Sequence, residues 1–242
     1  MMTRTAVRPY RTTARVVGVV YLAGFVVGIV GIMLIQSVLG APDHLATVAA
    51  RSMTLAFAAI LWLLAVVGDA AHGVLMFPVL KPHSERIAVG YLAFRILDAV
   101  FIAIMVIFVL LQIPLGSAYL SAAAPAAPAL QALSTVFVQA QLYAYEIGMI
   151  TLGISGLMLC STLYRAQLVP RWLAVWGLAG YAVITIGMVS AILGSGLGDL
   201  SSSVGGLWEV FVGVWLIVKG FNTAAVTPEA AHADSDALLN AA

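Results

Sequence analysis

The chain has 242 residues, of which 63% are apolar and 9% charged, with a formal net charge of +1. A soluble domain is about 45–50% apolar and about 25% charged, so too little polar surface exists here to coat a water-soluble particle. An ordinary soluble enzyme, a nucleic-acid binder and a disordered chain are excluded. The long unbroken apolar blocks favour helical spans over the roughly ten-residue alternating strands of a membrane barrel.

A membrane-crossing helix needs about 20 mainly apolar residues. Six stretches qualify: Ala14–Leu39, Met53–Leu80, Ile87–Ile113, Leu142–Tyr164, Trp172–Leu193 and Val204–Lys219. Residues 1–13 precede them as a basic N-terminal segment. The apolar run that follows is about 25 residues, too long for the h-region of a signal peptide, and is read as the first span. In that span Gly24 and Gly28 stand four apart and permit close helix packing, within the bundle or between protomers. Between spans three and four, residues 115–141 read as an external connection, with Ala129–Gln141 as a short helix on the outer surface. Ser201, Ser202 and Ser203 offer N-cap chemistry for the start of span six. The tail, residues 223–242, carries Glu229, Asp234 and Asp236 without apolar periodicity and is expected to be disordered. No internal repeat relates the two halves.

Short cytoplasmic loops are enriched in Lys and Arg. With six spans, Arg4, Arg8, Arg11, Arg15, Lys81, Arg86, Arg165, Arg171 and Lys219 all fall on one side. The opposite connections carry Asp43, Asp199 and one cation, Arg51. The expectation is an all-α bundle of six transmembrane helices in the inner or plasma membrane, with the N-terminus and C-terminus cytoplasmic.

Several local runs together carry a family resemblance. They are Ala14-Arg15-Val16-Val17-Gly18-Val19-Val20-Tyr21-Leu22, Leu80-Lys81-Pro82, Phe94-Arg95 followed by Asp98, Pro170-Arg171-Trp172-Leu173-Ala174-Val175-Trp176-Gly177, and Trp215-Leu216-Ile217-Val218-Lys219-Gly220. Over roughly residues 10–222 the chain resembles the bacterial membrane family catalogued as domain of unknown function 4386. The resemblance implies a six-span bundle of unassigned activity and carries over no catalytic residue. The family pattern often has Glu after the span-three Arg, so Asp98 is a shortened variant.

The informative residues are ionisable groups inside spans: Asp69, His72, Arg95, Asp98, Glu146 and Glu209. Insertion of Arg or Asp at a helix centre costs roughly 2.5–3.5 kcal/mol, so such residues face the bundle interior and pair. Asp69 lies twelve residues before Lys81 and Asp98 twelve after Arg86, about 18 Å from each anchor. His72 and Arg95 lie about 13–14 Å from the same anchors and Glu209 about 15 Å from Lys219. These groups therefore gather near one level, in the inner half or midplane. Asp69 with His72, and Arg95 with Asp98, are i,i+3 pairs on shared faces.

One guanidinium does not neutralise three carboxylates in a low dielectric, so His72 or one of the carboxyls must hold a proton. The expectation is that Asp69, Asp98 and Glu209 share Arg95 and that one of them titrates between about pH 6 and 8. Such a cluster handles protons or a small ligand in a transporter-like module. The competing reading is a structural or stress-sensing protein whose polar network only locks the helices. Glu146, about 28 Å from Arg165, is placed at the outer edge beside Tyr143 and Tyr145, as an interface carboxylate or an entry residue.

Other chemistries find little support. Cys160 is single and apolar-flanked, which excludes an intrachain disulfide and reads as packing. His72 alone does not give the paired ligands of a membrane haem. Asp69, His72 and Asp98 make an unsupported zinc set. Lys219 reads as a snorkelling anchor. Trp172, Trp176, Trp208 and Trp215 read as anchors or core. No nucleophile–base pair, P-loop or His-Glu-x-x-His motif is present, so neither an enzyme nor a cofactor is expected, and the expected partners are the bilayer and a proton or small molecule.

Overall fold

The computed structural model describes residues 3–123 and 125–222, with side chains from Tyr10 onward except that of Asp199. The described residues form seven helices and no strand: α1 Thr3–Leu39, α2 His44–Ala50, α3 Ser52–Leu80, α4 Glu85–Ser121, α5 Ala127–Arg165, α6 Arg171–Ile192 and α7 Gly198–Val218. Six of them, all but α2, are long and apolar enough to cross a membrane. The chain is a multi-pass membrane protein. The expected tail, residues 223–242, lies outside the described residues.

The six long helices close into a ring. α1 packs on α3, α3 on α4, α4 on α5, α5 on α6 and α6 on α7, and α7 returns to α1. One end of the ring, here the basic face, gathers the anchors of all six helices. Beneath them lies a continuous core of Ala14, Leu80, Ala88, Leu163, Leu168 and Phe221. Outside, large apolar side chains such as Val26, Phe57, Ile107, Ile186 and Phe211 stand exposed, as a surface facing lipid requires.

Three local expectations need correction. Residues 129–141 do not form a separate surface helix. α4 runs through Pro114 to Ser121, and α5 begins at Ala127 with Pro128 in its first turn. Proline suits a helix start, where its missing N–H has no partner to lose, and an interior proline is tolerated where packed neighbours compensate. Buried Gln112 and Ser134 tie the two distal halves together: the Ser134 hydroxyl donates to Gln112 Oε1 at 2.5 Å, and Gln112 Nε2 donates to the Ser134 carbonyl at 3.2 Å. The short α2 packs on α4 with Leu45 and Val48 buried. It seats where Gly116 leaves no side chain to obstruct Val48 and the Leu45 carbonyl.

The serines of the last span do not cap it. α7 starts at Gly198, and Ser201 and Ser202 donate back to the Gly198 carbonyl at 2.7 and 3.2 Å. Such back-bonding is the alternative open to a helical serine. Nor does Gly24 pack within the bundle, since a Cβ built there meets nothing within 4 Å. The close approaches of α1 are at Gly18, where a Cβ would lie 2.5 Å from the Gly213 carbonyl of α7, and at Gly31 under Trp62. Glu146 lies within the continuous α5, nineteen residues before Arg165, and the helix extends beyond it to Ala127.

Candidate functional site

All six long helices fill the ring interior, and its polar cluster comes from α1, α3, α4, α6 and α7. On α4, Tyr91, Arg95, Asp98 and Ile102 follow one another at helical spacing and are all buried. This stripe faces inward because the opposite face, with Ile96, Val100 and Ile107, is exposed and apolar. Arg95 Nη2 donates to Asp69 Oδ1 of α3 at 2.5 Å, and Arg95 Nη1 lies 3.6 Å from Asp98 Oδ2. The Arg95 and Asp98 side chains are enclosed, whereas that of Asp69 is 26% exposed. Asp69 is thus the open edge of an otherwise sealed ion-pair triad.

One turn toward the basic face, fully buried His72 meets the Tyr91 hydroxyl through Nδ1 at 2.5 Å. Its other nitrogen, Nε2, is buried with no hydrogen-bond partner. Tyr21 of α1 stacks edge-on against the imidazole with ring centroids 4.3 Å apart. Trp208 of α7 continues the aromatic series, 6.2 Å from Tyr21 and 5.3 Å from Tyr181 of α6. Trp208 Nε1 donates to the Leu173 carbonyl at 2.7 Å, so this Trp is core and not an interface anchor.

Glu209 does not join the Arg95 triad by contact. Among the described residues the ion pairs of Arg95 are with Asp69 and Asp98, while Glu209 Oε1 accepts from the Tyr181 hydroxyl at 2.8 Å. The reason is topological. Glu209 is on α7, whose neighbours in the ring are α6 and α1, while Arg95 is on α4, whose neighbours are α3 and α5. Glu209 nevertheless lies within electrostatic range of Arg95 and Asp69. Glu146 is on α5, partly buried, with its Oε2 atom enclosed. Cys160 is fully buried against the α5–α6 seam, where a Cβ on Gly177 would lie 2.5 Å from its Sγ. Among the described residues no group of three or more His, Cys, Asp and Glu is placed to hold a metal ion.

Residues 16–220 match the family model described as Domain of unknown function (DUF4386). The chain belongs to this family. No curated protein and no solved structure matches it significantly.

The DUF4386 match spans every polar group of the ring interior. Sequence reasoning found the ionisable members but missed Tyr21, Tyr91 and Tyr181, which supply or surround their hydrogen bonds. For Tyr91 a signal existed, because it precedes Arg95 by four residues and Asp98 by seven and so shares their face. Tyr181 had none, because its partner Glu209 is on another helix and only packing brings them together.

Proposed function

We propose that this membrane protein uses its ring interior to hold and exchange protons, or a small ligand carrying them, as a transporter-like module and not as an enzyme. The observation that carries this reading is a charge imbalance. One guanidinium touches two carboxylates, a third carboxylate is held nearby only by a phenol, and the triad has one partly exposed edge at Asp69. Three carboxylates with one permanent cation in a low dielectric require bound protons. Arg95 is the counter-ion, Asp98 and Glu209 are the proton-exchanging partners, and Asp69, at the open edge, with buried His72 beside it forms the second side of the site.

The basic face is cytoplasmic, with both termini there, in the plasma or inner membrane. The bilayer is the constant partner, and nucleic acid has no part.

Infrared difference spectroscopy on the reconstituted protein between about pH 5 and 9 tests the proposal. A protonated-carboxyl band should rise and fall in that range and lose intensity in Glu209→Gln or Asp98→Asn. Glu209→Gln keeps an acceptor for Tyr181, so its fold is retained. Three carboxylates ionised throughout the range would overturn the reading.

A scaffold role is favoured by a separate observation. The polar bonds join helices adjacent in the ring: Asp69–Arg95 and His72–Tyr91 join α3 to α4, and Tyr181–Glu209 and Trp208–Leu173 join α6 to α7. That role predicts loss of stability on each substitution with no proton exchange.

A further inference from the structure

A groove of about 350 Å³ opens on the basic face, away from the central cluster, between the α5–α6 turn and the end of α7. Its lining includes two cations, Arg171 and Lys219, and no carboxylate. Both cations are exposed, and neither has an ion pair among the described residues. Buried Leu168, Val169 and Phe221 also line it, and Trp215 forms one wall.

Two backbone features build this shape. Gln167, at φ 51°, turns the chain from α5 into α6, and Gly220, at φ 76°, turns it out of α7. The two turns are tied together, the Asn222 N–H donating to the Leu168 carbonyl at 2.8 Å and Asn222 Nδ2 to the Gln167 carbonyl at 3.3 Å. Arg171 is held over the Tyr164 ring, 5.6 Å from its centroid, and Trp172 meets Trp215 edge-on at 6.3 Å. The groove is therefore a formed feature of the fold, with Arg171 on a defined support.

Its setting narrows the ligand. Trp172, Val175, Val214 and Val218 continue from the groove as exposed apolar surface on α6 and α7. A ligand seated there meets paired positive charge at one end and lipid-facing hydrocarbon at the other. Basic pockets at the ends of transmembrane helices take anionic headgroups, and each Lys or Arg contributes about a fivefold gain in binding. We infer that this groove binds the phosphate headgroup of an anionic phospholipid, with Arg171 and Lys219 on the phosphate and the acyl chains along the Trp172–Val218 surface. This site is separate from the Arg95 cluster, and its failure would leave the proposed function standing.

The test is thermal unfolding of the full-length protein in detergent, titrated with phosphatidylglycerol, phosphatidylcholine or sodium phosphate. Bound lipid is counted in parallel by native mass spectrometry. Phosphatidylglycerol should raise the Tm of wild type and of Arg165→Gln alike, because exposed Arg165 lies outside the groove lining. Arg171→Gln with Lys219→Gln should require about twenty-five-fold more of that lipid for the same shift. Lys219→Gln alone, an exposed side chain at the end of α7, should require about fivefold more and serves if the double variant fails to fold. An unchanged response in these variants, or an equal response to phosphatidylcholine, would overturn the assignment. Sodium phosphate that reproduces the shift and displaces the lipid would also overturn it, making the groove a site for a soluble phosphate.

Discussion

The Tyr91 hydroxyl and Nδ1 of His72 stand 2.5 Å apart between α4 and α3, with both side chains buried and Tyr21 stacked on the imidazole. Removal of the phenol oxygen leaves a buried ring nitrogen with no partner, at a cost of about 1–3 kcal/mol. Tyr91→Phe should lower the unfolding temperature in detergent, and His72→Phe in the same background should recover part of the loss. A Tyr91→Phe protein as stable as wild type would mean that the bond contributes nothing.

The two aspartates on Arg95 are not equivalent. Asp98 is enclosed and Asp69 is 26% exposed. Removing both partners of a buried cation would strand it at a cost of about 3–5 kcal/mol, but loss of either aspartate leaves Arg95 paired with the other. Both substitutions should therefore cost less than that range, with Asp98→Asn the larger, since water at the open edge can compensate for Asp69. The same unfolding assay ranks them, and the reverse order would contradict the enclosure described for Asp98.

Glycine spacing in the sequence points to Gly24, but contact geometry points to Gly156. A Cβ on Gly156 would lie 2.2 Å from the Tyr181 ring, while one on Gly24 meets nothing. Gly156→Ala should destabilise by about 1–3 kcal/mol through overpacking and should disturb the bond from Tyr181 to Glu209. Gly24→Ala should be neutral or stabilising by up to about 1 kcal/mol, as alanine is the better helix former.

At the distal end, Ser134 is fully buried and bonded to both Gln112 and His44, the latter at 2.8 Å. Ser134→Ala strands Gln112 Oε1 inside the α4–α5 hairpin and should cost about 1–3 kcal/mol. His44→Ala, on a half-buried side chain, should cost less. Hydrogen exchange of the α4–α5 turn should rise with Ser134→Ala if the pair holds the hairpin closed.

Orientation is open to a labelling experiment, since buried Cys160 offers no background. With the basic face cytoplasmic, His83→Cys should resist a membrane-impermeant maleimide in intact cells and react after lysis. Ala126→Cys, in the exposed distal turn, should react in intact cells. The opposite pattern would invert the topology.

Apolar block length determined the membrane class and the six spans, because a helix must satisfy its own backbone in lipid and so needs its full hydrophobic run in one piece. Helical spacing likewise placed Arg95 and Asp98 on one face, a relation internal to a single element. What lay between elements was decided only by the tertiary structure. The order of helices around the ring brought Asp69 to Arg95 and gave Glu209 to Tyr181. The seating of α2 on Gly116 and the Gln112–Ser134 pair carried α4 and α5 into the expected connection. Two left-handed residues, Gln167 and Gly220, shaped a groove that composition does not reveal. Neighbour choice among apolar helices depends on the fit of small and large side chains across distant segments, and no periodicity along one chain encodes that fit.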